Sequence, residues 1–154
     1  MSRRTNPTAA RSRGPASVVQ TMALAATVVM AFAAAEWSVY RAHVLHGHLA
    51  AGTQALAELR TRMEQYRADH HTYLTVDGRA VSPCDTTGAA GTFTLACPTL
   101  SPASYQLAAT GSGPTAGFVY TTDSQGNRHT IRVADGWSRT TPDACWITRE
   151  DDSC

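Results

Sequence analysis

Hydrophobic side chains follow two different patterns along the first half of the chain. Residues 18–35, VVQTMALAATVVMAFAAA, form an uncharged apolar block. Beyond this block, apolar side chains recur at steps of three, four or seven residues: Leu45, Leu49, Leu56, Leu59, Met63 and Tyr66. Steps of this size gather the side chains on one stripe of an α-helix. Because no proline interrupts residues 18–69, the sequence predicts one long helix with an apolar first part and an amphipathic second part.

The apolar block has the length and the flanking residues of a membrane span. About 20 apolar residues cross a bilayer as a helix, and Trp37, Tyr40 and Arg41 follow the block, where interfacial side chains are typical. We therefore expect a transmembrane helix at residues 17–36. The alanines before Glu36 also fit a signal-peptidase site, and cleavage there is the alternative that would release a secreted protein.

The arm before the block indicates on which side of the membrane the rest of the chain lies. Residues 1–16 contain four arginines and no acidic residue. Because positively charged flanks favour the cytoplasmic side, we expect a cytoplasmic, leader-like arm at residues 1–16. The folded domain, at residues 37–154, is then expected outside the cytoplasm. In that domain the helix is expected to continue to about residue 69.

Short alternating runs replace the helical pattern after Gly78. The candidate strands are residues 92–96, 105–109, 118–121 and 129–133. Alternation of apolar and polar side chains is typical of half-buried antiparallel strands, and in the last run it places Ile131 and Val133 on one face. A helix followed by strands predicts an α+β fold, with a meander sheet of three to four strands packed on the amphipathic part of the helix.

Composition and motifs argue against enzymatic activity. The chain has no lysine, hence no phosphate-binding loop with lysine, and it has no G-x-S-x-G motif. Its net charge of +1 does not indicate a nucleic-acid partner. His43 and His46 share a helix face from which His48 points away, and two imidazoles are too few ligands for a zinc site. We predict a protein without enzymatic activity, cofactor or metal.

The four cysteines all follow the apolar block, at Cys84, Cys97, Cys145 and Cys154. An even number on the outer side of a membrane segment predicts two disulfides, while four reduced thiols are the alternative. Four cysteines can pair in three ways. We favour the sequential pairs Cys84–Cys97 and Cys145–Cys154, because each closes a short loop and stabilises the domain by about 3 kcal/mol.

Several segments of the domain carry a more specific signal. They are ALAELRTRMEQYRADHHTYL at 55–74, FTLACPTLSPASYQLAATGSG at 93–113, GFVYTTDSQGNRHT at 117–130, and the closing Cys145, Trp146 and Cys154. In this order they resemble the type IV pilins, specifically the small PilE-like minor pilins. The resemblance implies a long N-terminal helix with a sheet on its C-terminal half. It also implies three partners: other pilin subunits bound through the N-terminal helix, the inner membrane, and the pilus assembly machinery.

The N-terminus differs from the pattern of that family. The helix match places the first mature residue at Ser17, so that Ala16 occupies the position of the glycine before the family's cleavage site. Thr21 stands at the fifth mature position, where the family has the glutamate that sets the register between subunits. We expect processing between Ala16 and Ser17 to be less efficient than in the family, and the charge pairing made by that glutamate to be missing.

The resemblance implies a non-enzymatic structural subunit of a type IV pilus or related filament. A minor pilin of this kind acts in pilus assembly, adhesion, twitching motility or DNA uptake. It is expected in the inner membrane as a single-pass protein, with its C-terminal domain periplasmic or extracellular in a pilus. Two alternatives remain open: a membrane-tethered or secreted pilin-like binding module that does not enter a filament, and a type II secretion pseudopilin.

Overall fold

A computed structural model describes residues 15–139 and 144–151 of the chain. Of the side chains between residues 15 and 38, only that of Met30 is among those described. The chain divides into two units, with the boundary between Arg41 and Ala42. The described part of the first unit is helical throughout, and the second unit contains the rest of the helix and the sheet.

The long predicted helix is present as α1, Pro15–His70. Proline suits the first position of a helix because the N–H it lacks would have no partner there. Within the part of the chain that the structure describes, no helix is both long and apolar enough to cross a membrane. The segment predicted to do so, residues 17–36, has almost all of its side chains outside the described part, so the transmembrane helix stays a prediction.

In the second unit, α1 buries the apolar stripe that its sequence pattern predicts. Leu45 packs at the edge of the core, and the other members of the stripe are buried: Leu49, Leu56, Leu59, Met63 and Tyr66. The helix ends after His70, within one residue of the expected position. His71 then adopts a positive φ of 58° and donates its backbone N–H to the carbonyl of Arg67 at 2.8 Å, which closes the last turn.

In the described part of the chain, five antiparallel strands follow α1 in sequential order across one sheet. They are β1 (Ala89–Ala90), β2 (Phe93–Leu100), β3 (Tyr105–Gly111), β4 (Val119–Asp123) and β5 (Arg128–Arg132). The predicted α+β meander is confirmed, but the predicted number of three to four strands is too low. The strand without a predicted counterpart is β1, which has two residues and is too short to show an alternating pattern.

The inner face of the sheet packs on α1 and forms the core with it. Its buried side chains are Phe93, Leu95, Tyr105, Leu107, Ala109 and Tyr120. The helix and the sheet come very close at Gly52, where an added Cβ would lie 2.4 Å from the ring of Phe93. The absence of a side chain at Gly52 therefore lets the helix and β2 come together.

Hydrogen bonds and a disulfide fix the loop between α1 and β1. The Tyr66 hydroxyl donates to the carbonyls of Leu74 and Ala80, at 2.9 and 2.7 Å. A disulfide joins Cys84, which is buried, to Cys97 in β2. This loop is therefore tied both to the helix and to the sheet.

The C-terminal segment, residues 144–151, is bound to the last two strands. The Tyr120 hydroxyl donates to the carbonyl of Ile147 at 2.6 Å. The Thr130 hydroxyl donates to the carbonyl of Cys145 and accepts from the N–H of Ile147, both at 2.9 Å. Cys145 is disulfide-bonded, whereas Cys154 lies outside the described residues, so the pair Cys145–Cys154 stays a prediction.

Candidate functional site

The edge strand β5 carries a concentration of basic side chains. Arg128, His129 and Arg132 lie within five consecutive residues, and all three side chains are exposed. No acidic residue interrupts this strand. We refer to the exposed side chains of these three residues as the β5 basic surface.

The turn between β4 and β5 holds the start of this surface in place. Asp123 accepts hydrogen bonds from the backbone N–H groups of Gln125 and Asn127, at 2.9 and 3.0 Å, and from the Asn127 side chain at 2.7 Å. Gly126 takes a φ of 89°, which favours glycine. Burial raises the pKa of Asp123, but these hydrogen bonds outweigh burial and hold the pKa below its ordinary value. The carboxylate of Asp123 therefore stabilises the turn through these hydrogen bonds.

Arg128 is oriented by an aromatic neighbour. Its guanidinium lies over the ring of Trp146, 4.7 Å from the centroid. The indole N–H of Trp146 donates to the carbonyl of Thr121 at 2.9 Å, so the ring is itself fixed to β4. Stacking on an aromatic face leaves the edge of a guanidinium able to donate hydrogen bonds to another group.

His129 and Arg132 lie on the outer face of the sheet, away from α1. His129 pairs with Thr121, and Arg132 pairs with Val119. Their neighbours across the outer face are small: Thr94 pairs with Thr110, and Ala96 with Ala108. Small side chains therefore line β2 and β3 on this face, while Thr121 of β4, beside His129, is buried.

The strand β5 departs from the predicted pattern at Ile131. Alternation predicts Ile131 on the same face as Val133, which packs against the core. Instead Ile131 is 51% exposed, and the buried residue of β5 is Thr130. The prediction is wrong because β5 contains a bulge between Thr130 and Arg132, where two steps along β5 oppose one step along β4.

The other charged cluster of note is internal and structural. Glu64 on α1 accepts hydrogen bonds from the hydroxyls of Tyr105, at 2.6 Å, and Tyr73, at 3.1 Å. Burial, the hydrogen bond to Glu64 and its negative charge raise the pKa of Tyr105 above its ordinary value. Arg67 lies 4.9 Å from the centroid of the Tyr73 ring. This cluster joins the helix to β3 and contains no nucleophile beside a base.

Among the described residues, open depressions lie on the surface of the second unit. One of about 310 Å³ is lined by Thr61, Arg62, Gln65, Tyr66, Asp69 and Pro83. Another, of about 260 Å³, is lined by Ala42, His46, Arg149, Glu150 and Asp151. Both are open to solvent, unlike the enclosed pockets typical of small-molecule sites.

The site residues expected from sequence are distributed along the chain rather than gathered. Ala16, Ser17 and Thr21 fall within α1, but their side chains lie outside the described part, so the processing site and the register position stay predictions. His46 contacts Trp137 edge to face, with centroids 6.2 Å apart. Among the described residues, no three histidine, cysteine, aspartate or glutamate side chains are grouped so that they could hold a metal.

Sequence reasoning did not identify the β5 basic surface. The run RHTIR at residues 128–132 contains the three basic residues, but the near-zero net charge of the chain does not indicate a local basic surface. The surface becomes visible once the strand order places β5 at an edge and the bulge places Arg132 beside His129 on the outer face.

Comparison with known proteins gives two matches. A family model described as "Type IV minor pilin ComP, DNA uptake sequence receptor" matches residues 38–132, which is more than half of the chain. Among solved structures, the non-core minor pilin PilV of Neisseria meningitidis is similar, with 18% sequence identity and a TM-score of 0.49, covering 68% of this chain and 96% of that chain. No curated protein matches.

Proposed function

Since this chain belongs to the type IV minor pilin ComP family, we propose that it is a pilus subunit whose folded domain binds DNA. The family description names a DNA uptake sequence receptor. The observation that carries the proposal to this chain is the β5 basic surface. Pilins are structural subunits, which agrees with the predicted absence of catalysis.

Charge on the β5 basic surface suits a phosphate backbone. Arginine stays charged at any physiological pH, and its guanidinium can bind phosphate oxygens through two hydrogen bonds. Arg128, which pairs with Thr122 on the face toward α1, and Arg132, which pairs with Val119 on the outer face, supply two such groups along the edge strand. Of the two acidic residues nearest in sequence, Asp123 is already bound within its turn, and Asp135 lies three residues after Arg132. A local cluster of this kind attracts DNA even though the whole chain has a net charge of only +1.

The shape of the adjoining sheet face also suits a nucleic acid. Thr94, Ala96, Ala108 and Thr110 line the outer face of β2 and β3 with small side chains. A duplex can therefore lie over this part of the face without meeting bulky side chains. Threonine hydroxyls are also common partners of phosphate and sugar oxygens.

We propose that the N-terminal part of the chain mediates membrane anchoring and pilus assembly. Residues 17–36 would hold the subunit in the inner membrane before assembly and then pack against the helices of other pilin subunits. The pilus assembly machinery would act on the chain after cleavage between Ala16 and Ser17. The folded domain, proposed at residues 37–154, would then be periplasmic or exposed on the pilus, where its disulfides are stable.

Measuring DNA affinity tests the proposed function. The purified full-length chain in detergent is expected to bind a fluorescent DNA duplex with an affinity that falls steeply with salt. The double variant Arg128→Ala/Arg132→Ala is expected to bind about tenfold or more weakly and to reduce the salt slope by about 2, because two phosphate contacts are lost. Fluorescence anisotropy at several salt concentrations measures both quantities.

The matched control is the double variant Arg62→Ala/Arg79→Ala. It removes two exposed arginines from α1 and the following loop, and so changes the net charge equally. We expect it to retain the affinity and salt slope of the unchanged chain. Absence of salt-dependent DNA binding by the unchanged chain would contradict the proposal. The subunit role is tested separately: the chain should be found in sheared pilus fractions, with a mature N-terminus at Ser17.

A further inference from the structure

The bulge in β5 changes which face of the sheet its last residue occupies. Thr130 pairs with Tyr120 of β4, but the next pair is Arg132 with Val119. Ile131 is therefore an additional residue without a partner on β4. Because successive side chains of a strand alternate between faces, one additional residue moves every following side chain to the opposite face.

Arg132 is the residue affected by this shift. In a regular strand, Ile131 would pair with Val119 on the outer face and Arg132 would point toward the helix side. With the bulge, Arg132 itself pairs with Val119 and lies on the same outer face as His129. The bulge is thus the reason that the two basic side chains share one face.

Arg139 binds the backbone of the bulge from outside the sheet. Its guanidinium Nη1 donates to the carbonyl oxygens of two consecutive residues, Thr130, at 3.1 Å, and Ile131. Consecutive carbonyls of a regular strand point in opposite directions. One guanidinium can reach both here because the bulge has turned them toward the same side.

A turn after β5 places Arg139 at this position. In this turn the backbone N–H of Trp137 donates to the carbonyl of Ala134 at 3.2 Å, and Gly136 takes a φ of 87°. Trp137 then packs edge to face on Phe118, with centroids 4.8 Å apart. This anchored turn sends the chain back along the edge of β5.

Thr130, the residue before the bulge, is held from a second direction. Its hydroxyl bridges the carbonyl of Cys145 and the N–H of Ile147 at 2.9 Å each, and the side chain is fully buried. The side chain of Thr130 and the carbonyl of Thr130 are therefore fixed by different partners. The remaining residues of the bulge are Ile131 and Arg132. Arg139 holds Ile131 through its backbone carbonyl.

We propose that Arg139 is a positioning residue, which holds the Ile131 bulge so that Arg132 faces DNA beside His129. This inference rests on the proposed function, because it takes DNA as the ligand of the β5 basic surface. Arg139 acts through the backbone of β5 and through Arg132, without contributing a phosphate contact of its own.

A conservative substitution of Arg139 distinguishes a positioning role from a contribution of its positive charge to DNA binding. Arg139→Lys keeps the positive charge, but it replaces the planar guanidinium, whose Nη1 donates to both carbonyls, with a strongly hydrated ammonium on a flexible stem. We expect Arg139→Lys in the full-length chain to weaken DNA binding about as much as Arg132→Ala, and to lower the salt slope by about 1, as does the loss of one phosphate contact. If Arg139→Lys retains the affinity and slope of the unchanged chain, the positioning role is wrong.

A double-mutant cycle supplies the second readout. If Arg139 acts through Arg132, then Arg139→Lys added to Arg132→Ala should cause little further loss of affinity. Additive losses would overturn the inference, because they would show that the two arginines act independently. Amide chemical shifts of residues 129–132 are expected to change in Arg139→Lys alone while those of β2 and β3 stay in place. Unchanged shifts at residues 129–132 would also overturn it.

The result for the unchanged chain keeps the two proposals distinct. DNA binding by the unchanged chain, with no loss in Arg132→Ala or Arg139→Lys, would overturn the positioning role and leave the proposed function standing. No binding by the unchanged chain would instead contradict the proposed function itself. The chemical shifts in Arg139→Lys would still report whether Arg139 holds the bulge.

Discussion

Gly52 determines how closely α1 and the sheet can pack. Sequence marks it only as one of two glycines within the long helix, the other being Gly47. The structure separates their roles, because a Cβ at Gly52 would lie 2.4 Å from the buried ring of Phe93, whereas a Cβ at Gly47 meets nothing within 4 Å. Gly52 is therefore required by packing, and Gly47 is a position where glycine only weakens the helix.

The two glycines give opposite predictions for the same substitution. Gly52→Ala is expected to lower the free energy of unfolding by about 1–3 kcal/mol, because the Phe93 ring must move within a filled core. Gly47→Ala, the matched control, is expected to raise it by about 0.5–1 kcal/mol through helix propensity. Denaturant unfolding of the full-length chain measures both changes. A stabilised Gly52→Ala variant would contradict this close packing of Gly52 on Phe93.

At the scale of elements, the hydrogen bonds to Glu64 connect α1 to β3 and to the loop that follows the helix. Sequence places Glu64 on the polar side of the amphipathic helix, because its neighbours on that side are charged. The structure shows that its carboxylate accepts from Tyr73 and Tyr105, residues 9 and 41 positions further along the chain. Contacts over such separations do not follow from local periodicity, since they depend on how the sheet is laid on the helix.

Tyr105→Phe removes the shorter of these hydrogen bonds. It is expected to lower the free energy of unfolding by about 1.5–3 kcal/mol near neutral pH, the usual range for a hydrogen bond to a charged group. Since the pKa of Tyr105 is raised in the folded state, this contribution is fully present below the unfolded pKa of about 10 and is lost as the pH rises above that value.

The pH dependence of unfolding tests this prediction for Tyr105→Phe. The difference in unfolding free energy between the unchanged chain and Tyr105→Phe should be constant from pH 7 to about 9 and should shrink above pH 10. Taking the difference cancels the contribution of Tyr120, whose pKa is also raised, by burial. A difference that stays constant through this range would show that the Tyr105 hydroxyl titrates alike in both states.

For the whole molecule, the disulfide Cys84–Cys97 joins the loop after α1 to the sheet. Its two cysteines are 13 residues apart. Sequence favoured this pair among three ways of pairing, and the structure contains it. A domain of this size buries a modest core, so that a constraint on the unfolded chain is a large part of its stability.

The contribution of this disulfide to the free energy of unfolding can be measured by substitution, without reductant. Cys84→Ala/Cys97→Ala is expected to lower the free energy of unfolding by about 3 kcal/mol, from the closed loop of the unfolded chain. Adding reductant should then destabilise this variant less than it destabilises the unchanged chain, because only the bond at Cys145 remains. Equal responses of the two chains to reductant would contradict a stabilising role for Cys84–Cys97.

The distribution of charge also belongs to this scale. A net charge of +1 gives no reason to expect DNA as a ligand. Yet Arg128 and Arg132 lie on one edge strand, while Arg62 and Arg79 lie on the helix and the loop after it. Net charge sums over the molecule, whereas a phosphate backbone responds to charge within about 8 Å at physiological salt. The composition could therefore not have located a binding surface.

The sequence by itself determined the elements whose pattern is local. The amphipathic stripe of α1, the alternation of β2 and β3, and the family resemblance all follow from residues close together in the chain, because side chains on one helix or strand are placed by its fixed period. Tertiary structure decided the rest: the fit of Phe93 on Gly52, the bulge at Ile131, and the basic surface that this bulge completes. Each depends on two elements meeting, and local periodicity carries no information about the partner.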